Sequence, residues 1–138
     1  MSKKVFIDTN PIIYLVSQQE PYYSKVLAVF SDYISEDVEF YTSTITDAEF
    51  LVHPLSEDDS EQIENYRDFL KKLGFLKCFV SEQIAEKAAR LRVKYKNIKL
   101  PDAIQLAASI DCSCDVFLTN DKRLKQVVEA NVVYLDDM

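Results

Sequence analysis

Val5-Phe6-Ile7-Asp8-Thr9-Asn10-Pro11 is the stretch whose reading decides the fold. Three apolar residues lead directly into an aspartate, and a cap-type residue followed by proline then opens a helix. That is a buried strand passing into a helix. The same grammar recurs at Val116-Phe117-Leu118-Thr119-Asn120-Asp121, where an apolar run again ends at an acid. Two further acids occupy related places. Glu49 comes a few residues after Phe40-Tyr41-Thr42-Ser43, and Asp102 follows Pro101 at the head of an apolar helical stretch. If the strands are parallel, Asp8, Glu49, Asp102 and Asp121 converge at one edge of one sheet. Converging carboxylates repel one another, so such a cluster suggests a hard divalent cation and a metal-dependent phosphoester enzyme.

The remaining pattern agrees with alternating strands and helices. Residues 4–8, 39–43, 75–80, 115–119 and 132–135 read as strands, with Lys77 interrupting the third. Helices are expected from Asn10 to about Ser17, over 22–36 and over 45–53. Others run from Ser56 to Gly74, from Ser81 to about Tyr95, from Pro101 through Ile110, and briefly over 121–129. Asn97 is expected to turn the chain in the left-handed conformation. Such alternation calls for a parallel sheet covered on both faces, with the site beyond the carboxyl ends of the strands. No linker or repeat divides residues 1–138, whose length suits one domain.

Composition removes several function classes. Gly74 is the only glycine, which leaves no place for a dinucleotide fingerprint or a P-loop. No apolar run is long enough for a membrane span, and the start lacks a signal-like apolar region, so the chain reads as intracellular and cytoplasmic. Cys78, Cys112 and Cys114 show no zinc spacing and read as buried small side chains in a reducing compartment. Cys112 and Cys114 stand too close in sequence for an ordinary bridge. His53, the single histidine, lacks a recognisable nucleophile motif and reads as a helix-end or surface residue.

The net charge of −7 argues against generic nucleic-acid binding. Two bound divalent ions would bring it to about −3. The charge is unevenly spread, however. Residues 57–68 are strongly acidic, whereas Lys87, Arg90, Arg92, Lys94, Lys96 and Lys99 form a basic run, and Lys122, Arg123 and Lys125 a second. Both basic clusters flank candidate acids, Asp102 and Asp121, and would be the RNA contacts if the family resemblance given below holds; a solvated helix face explains the first run equally well. Taken singly, each acid also has an ordinary use, as a helix cap or a partner of the helix dipole. The hydroxyls and amides beside them shift the balance, because Thr9, Asn10, Thr119 and Asn120 suit the orientation of metal ligands and bound water.

The chain resembles the PIN domain family, and most of all the VapC-like ribonuclease toxins of toxin–antitoxin pairs. The resemblance rests on Val5-Phe6-Ile7-Asp8-Thr9-Asn10 and on Ser43-Thr44-Ile45-Thr46-Asp47-Ala48-Glu49. It continues in Leu100-Pro101-Asp102-Ala103-Ile104-Gln105-Leu106-Ala107-Ala108 and in Phe117-Leu118-Thr119-Asn120-Asp121. It implies an α/β/α sandwich with a mostly parallel five-stranded sheet. It also implies an acidic pocket of Asp8, Glu49, Asp102 and Asp121 that binds Mg²⁺ or Mn²⁺ and hydrolyses RNA phosphodiesters. Asp8 would ligate directly, and Asp102 or Asp121 partly through water. Glu49 would orient or deprotonate the attacking water, with Asn10, Thr119 and Asn120 in support. Where many relatives carry glycine before the third acid, this chain has Asn97. The resemblance further implies an antitoxin partner, and Tyr14, Tyr22 and Tyr23 could serve that contact or a homodimer interface.

Four other readings compete. An aspartate-nucleophile phosphatase would want a second Asp at position 10. A signalling receiver domain would want paired acids at its first strand. A catalytically silent interaction module has no reason to keep four mutually repelling acids. A housekeeping RNA-processing nuclease would share the site and lack the antitoxin.

Overall fold

The computed structural model describes residues 2–138. Five strands, β1 (Lys4–Ile7), β2 (Glu39–Ser43), β3 (Leu76–Cys78), β4 (Val116–Thr119) and β5 (Val132–Tyr134), form one sheet in the order β3-β2-β1-β4-β5. Every pairing is parallel, with Phe6 beside Tyr41 on one flank and beside Phe117 on the other. Alternation along β1 explains why helices cover both faces. Val5 and Ile7 point into one core with Ile12, Phe30 and Phe40, while Phe6 points into the other with Ala88, Leu91, Leu106 and Phe117. The first core is roofed by α1 (Thr9–Val16), α2 (Tyr22–Ser35) and α5 (Ser60–Lys72), and the second by α6 (Glu82–Lys94) and α7 (Leu100–Asp111). This is a three-layer α/β/α sandwich. Chain order runs outward from β1 on one side and from β4 on the other, so the crevice between their carboxyl ends is the topological switch point.

Several boundaries differ from expectation. The first helix is capped by Asp8, not Asn10. Asp8 has extended backbone and accepts from the Thr9 amide, so the helix starts one residue before Asn10. The helix expected over 45–53 is two short ones, α3 (Thr44–Phe50) and α4 (Val52–Ser56); Pro54 lies in the first turn of α4, where its missing N–H costs nothing. Asp59, rather than Ser56, caps α5 by accepting from the Gln62 amide. Phe79 and Val80 continue past β3 without joining the sheet. Residues 121–129 contain only a 3-10 turn, Lys122–Gln126. Asn97 lies in a turn, as expected, closed by the Ile98 amide on the Tyr95 carbonyl at 3.2 Å, but its backbone is not left-handed; its side chain accepts from Gln126 at 2.7 Å. The thiols are not isolated either. The Cys78 and Cys112 sulfurs meet between β3 and the end of α7, with their Cα atoms 7.4 Å apart, and Cys114 is free. No helix among the described residues is long and apolar enough to cross a membrane.

Candidate active site

Asp8 stands where β1 ends, and burial dominates its chemistry. It is 4% exposed, and desolvation pushes its carboxyl up to about 7, with the Asp102 and Glu49 charges adding to the rise. Two donors oppose that rise: the Thr119 hydroxyl, 2.8 Å from Oδ2, and the Thr9 amide, 2.8 Å from Oδ1. Thr119 closes β4, so the pairing of β1 with β4 delivers this donor from 111 residues away.

The other acids arrive on three different elements. Glu49, on the exposed side of α3, accepts from the Thr9 hydroxyl at 2.6 Å. Asp102, in the first turn of α7, is pushed up to about 6, first by burial and then by the nearby Asp121 charge. Asp121 caps the 3-10 turn, and its carboxyl is held below the usual range chiefly by Arg123. The Arg123 guanidinium grips Asp121 with Nε 3.0 Å from Oδ1 and Nη2 2.6 Å from Oδ2, and Nη2 lies 3.6 Å from Asp102. A side-chain cation therefore lies between two of the four acids.

The supporting residues fall into place around them. Asn10 accepts from the Asn120 amide at 3.0 Å, and the Asn120 side chain donates to the Tyr14 hydroxyl at 3.3 Å. The Thr119 hydroxyl also accepts from the Asp121 amide at 3.0 Å, tying two acids to one side chain. The basic run scatters. Arg90 pairs with Glu86, Lys94 with Glu129, and Arg92 reaches the Ile98 carbonyl. Lys99, just before α7, stays near enough to favour the charged forms of Asp102 and Asp121, and exposed Lys96 and Lys122 lie in flanking turns. Arg123 is thus a partner of the acids. His53 is exposed on α4.

Beneath the acids lies a buried polar cluster of Thr42, Ser43, Thr46 and Gln105, all fully shielded from solvent. Sequence reading passed over Gln105, although a glutamine amid Ala103, Leu106, Ala107 and Ala108 was a visible break in an apolar face.

The donor set is all oxygen, which suits Mg²⁺ or Mn²⁺. Asn120 Oδ1, beside Asp121, is buried with no partner, and such an acceptor fits a metal-bound water. As the side chains stand, no three acids among the described residues close around a single ion. The guanidinium between Asp121 and Asp102 holds positive charge there instead.

A doubly wound parallel sheet with acids gathered at its switch point defines a class of α/β proteins that act at that crevice. Within it, the model of the PIN domain family matches residues 5–130, and the chain belongs to that family. Solved structures similar to it include a toxin–antitoxin complex from Klebsiella pneumoniae, at 26% identity and TM-score 0.70, covering 95% of this chain and 97% of that one. DNA-bound VapBC from Salmonella typhimurium matches at 17% identity and TM-score 0.75, over 98% and 99% of the two chains. FitAcB from Neisseria gonorrhoeae matches at 21% and 0.75, over 97% and 99%. No curated protein matches the sequence.

Proposed function

We propose that the protein is a metal-dependent endoribonuclease, the toxin of a toxin–antitoxin pair. One observation carries the reading: an aspartate buried at the switch point feels the charges of two further acids, and the fourth is joined to the group through Arg123. A protein has little reason to assemble that repulsion unless a cation joins it.

Asp8, Asp102 and Asp121 would hold Mg²⁺ or Mn²⁺. When bound, the ion would polarise the scissile phosphate and favour a nucleophilic water. Thr119 would keep Asp8 and Asp121 in register, since its oxygen donates to one and accepts from the other's backbone. Glu49, exposed at the rim and steadied by Thr9, is free to orient the attacking water or take its proton. Lys99 and Lys122 would draw the RNA backbone toward the acids. The similarity to toxin–antitoxin complexes supports an antitoxin partner. A shallow cavity of about 310 Å³, lined by Leu15, Tyr23, Leu27, Phe30 and Ile34, suits apolar side chains of that partner or of a second copy in a homodimer.

RNA cleavage with added Mn²⁺ tests the reading, comparing the protein with Asp8→Asn. The variant keeps the size of the side chain and removes its charge, so cleavage should disappear. Equal cleavage by both would refute it. The Arg123 pair would also suit a silent interaction module, because it neutralises the acids without metal; absence of metal-dependent cleavage on varied RNAs favours that reading.

A further inference from the structure

We propose that Gln105 is a positioning residue that sets the acids through a fully directed hydrogen-bond chain. This rests on the nuclease reading above. Asp102 and Gln105 are three residues apart on α7 and so share a face, one at the mouth of the crevice and the other on its floor. Gln105 is completely buried and touches residues from three other places: Ser43, Thr46, and the Asp8-Thr9 pair.

Counting protons fixes the direction of every bond. The Ser43 hydroxyl accepts from the Ile45 amide at 3.1 Å and donates to Gln105 Oε1. That turns Gln105 Nε2 toward Thr46 Oγ1 at 2.8 Å, Thr9 Oγ1 at 3.3 Å and Asp8 Oδ1 at 3.5 Å. The reversed amide would set a carbonyl oxygen against the Asp8 carboxylate. The Thr42 hydroxyl donates to the Ile7 carbonyl at 2.9 Å, so the proton between Thr42 and Thr46, 2.8 Å apart, comes from Thr46. Thr46 then has none left for Thr9, 3.2 Å away, whose own proton goes to Glu49. Only the Gln105 amide remains to supply Thr9. One of its two N–H groups goes to Thr46, and the other is shared between Thr9 and the more distant Asp8, so it orients the hydroxyl that steadies Glu49.

A double-mutant cycle in single-turnover RNA cleavage tests this, with folding checked by circular dichroism. Gln105→Leu and Thr9→Val should each lower the cleavage rate by about 10- to 100-fold, with a much smaller change in KM. The double variant should be no slower than the worse single one, because both break the same chain. A purely structural role would lower the melting temperature and leave the rate of folded molecules intact. Gln105→Leu should also weaken Mn²⁺ binding, read by calorimetry without RNA. Should that variant not fold, Gln105→Met keeps the length of the side chain, removes the donors without adding charge and should show the same loss. Wild-type rates in either Gln105 variant, or strictly additive losses in the double, would overturn the proposal while leaving the nuclease reading intact. Failure of the unmodified protein both to bind Mn²⁺ and to cleave would end both.

Discussion

Asp8 is costly to the fold as a bare carboxylate, a cost that the proposed metal ion would offset. Its folded carboxyl titrates near 7 against an ordinary 3.8, and Asp102 near 6, both mainly through burial. Between those values the folded chain holds protons that the unfolded chain has released. The stabilisation is complete below about pH 4 and is lost as the pH climbs through the folded values. In chelator, the melting temperature should therefore fall from pH 5 to pH 8, and Asp8→Asn should flatten the fall. Mg²⁺ should restore stability at pH 8 in the unmodified protein and not in Asp8→Asn. A melting temperature that rises over that interval would contradict the assignment. Arg123 makes the complementary case. Its guanidinium occupies both oxygens of Asp121, so a metal ion bound as proposed would have to compete with Arg123 for them. The arginine is partly exposed, and such a pair is worth about 0–1 kcal/mol. Arg123→Gln should then tighten Mn²⁺ binding by up to about fivefold, measured calorimetrically. Weaker binding would show instead that Arg123 helps to shape the site.

Among the elements, helix α5 ends because Gly74 adopts φ +66°, a conformation that costs an L side chain about 1–2 kcal/mol. A Cβ added there would meet nothing within 4 Å, so the cost is backbone strain alone. Gly74→Ala should lower unfolding stability by about 1 kcal/mol in urea titration and leave activity per folded molecule unchanged. This stop was legible in the sequence because glycine adopts that conformation without a side-chain penalty. So was the sheet, since Val5 and Ile7 against Phe6 already announce a strand buried on both faces. Asp8, Asp102 and Asp121 were legible for the same reason, as acids punctuating apolar runs. The cap of α1 was legible only as a choice, because Asp8 and Asn10 are both cap-type residues and only backbone dihedrals separate them. The Gln105 chain was hidden for a different reason. Its members are ordinary polar residues whose contacts span 59 to 97 positions, a distance that no local pattern encodes. Asn97 turns the chain without the left-handed conformation, because tolerance of that conformation is not a requirement for it; Ser113 and Gln18 are among the residues that adopt it.

At the scale of the whole molecule, the proposed function would require a chain of net charge −7 to hold RNA by local fields rather than by its total charge. The structure sorts its cations by what they are already doing. Arg90 and Lys94 answer Glu86 and Glu129, and Arg123 answers Asp121. Lys99 and Lys122 carry no ion pair among the described residues and flank Asp102 and Asp121 in sequence. On the proposed function, they are the unpaired cations next to these acids in sequence and would replace counterions on single-stranded RNA held there. Each phosphate so neutralised contributes about 0.7 to the slope of log affinity against log salt. With Asp8→Asn used to prevent cleavage, Lys99→Ala and Lys122→Ala should each reduce the slope by about that amount, and Arg90→Ala should leave it unchanged. The measurement is fluorescence anisotropy of a labelled RNA across a salt series. If Arg90→Ala lowers the slope and the lysine variants do not, RNA runs along α6 and away from the acids. The acidic crevice would then not be where the RNA is held.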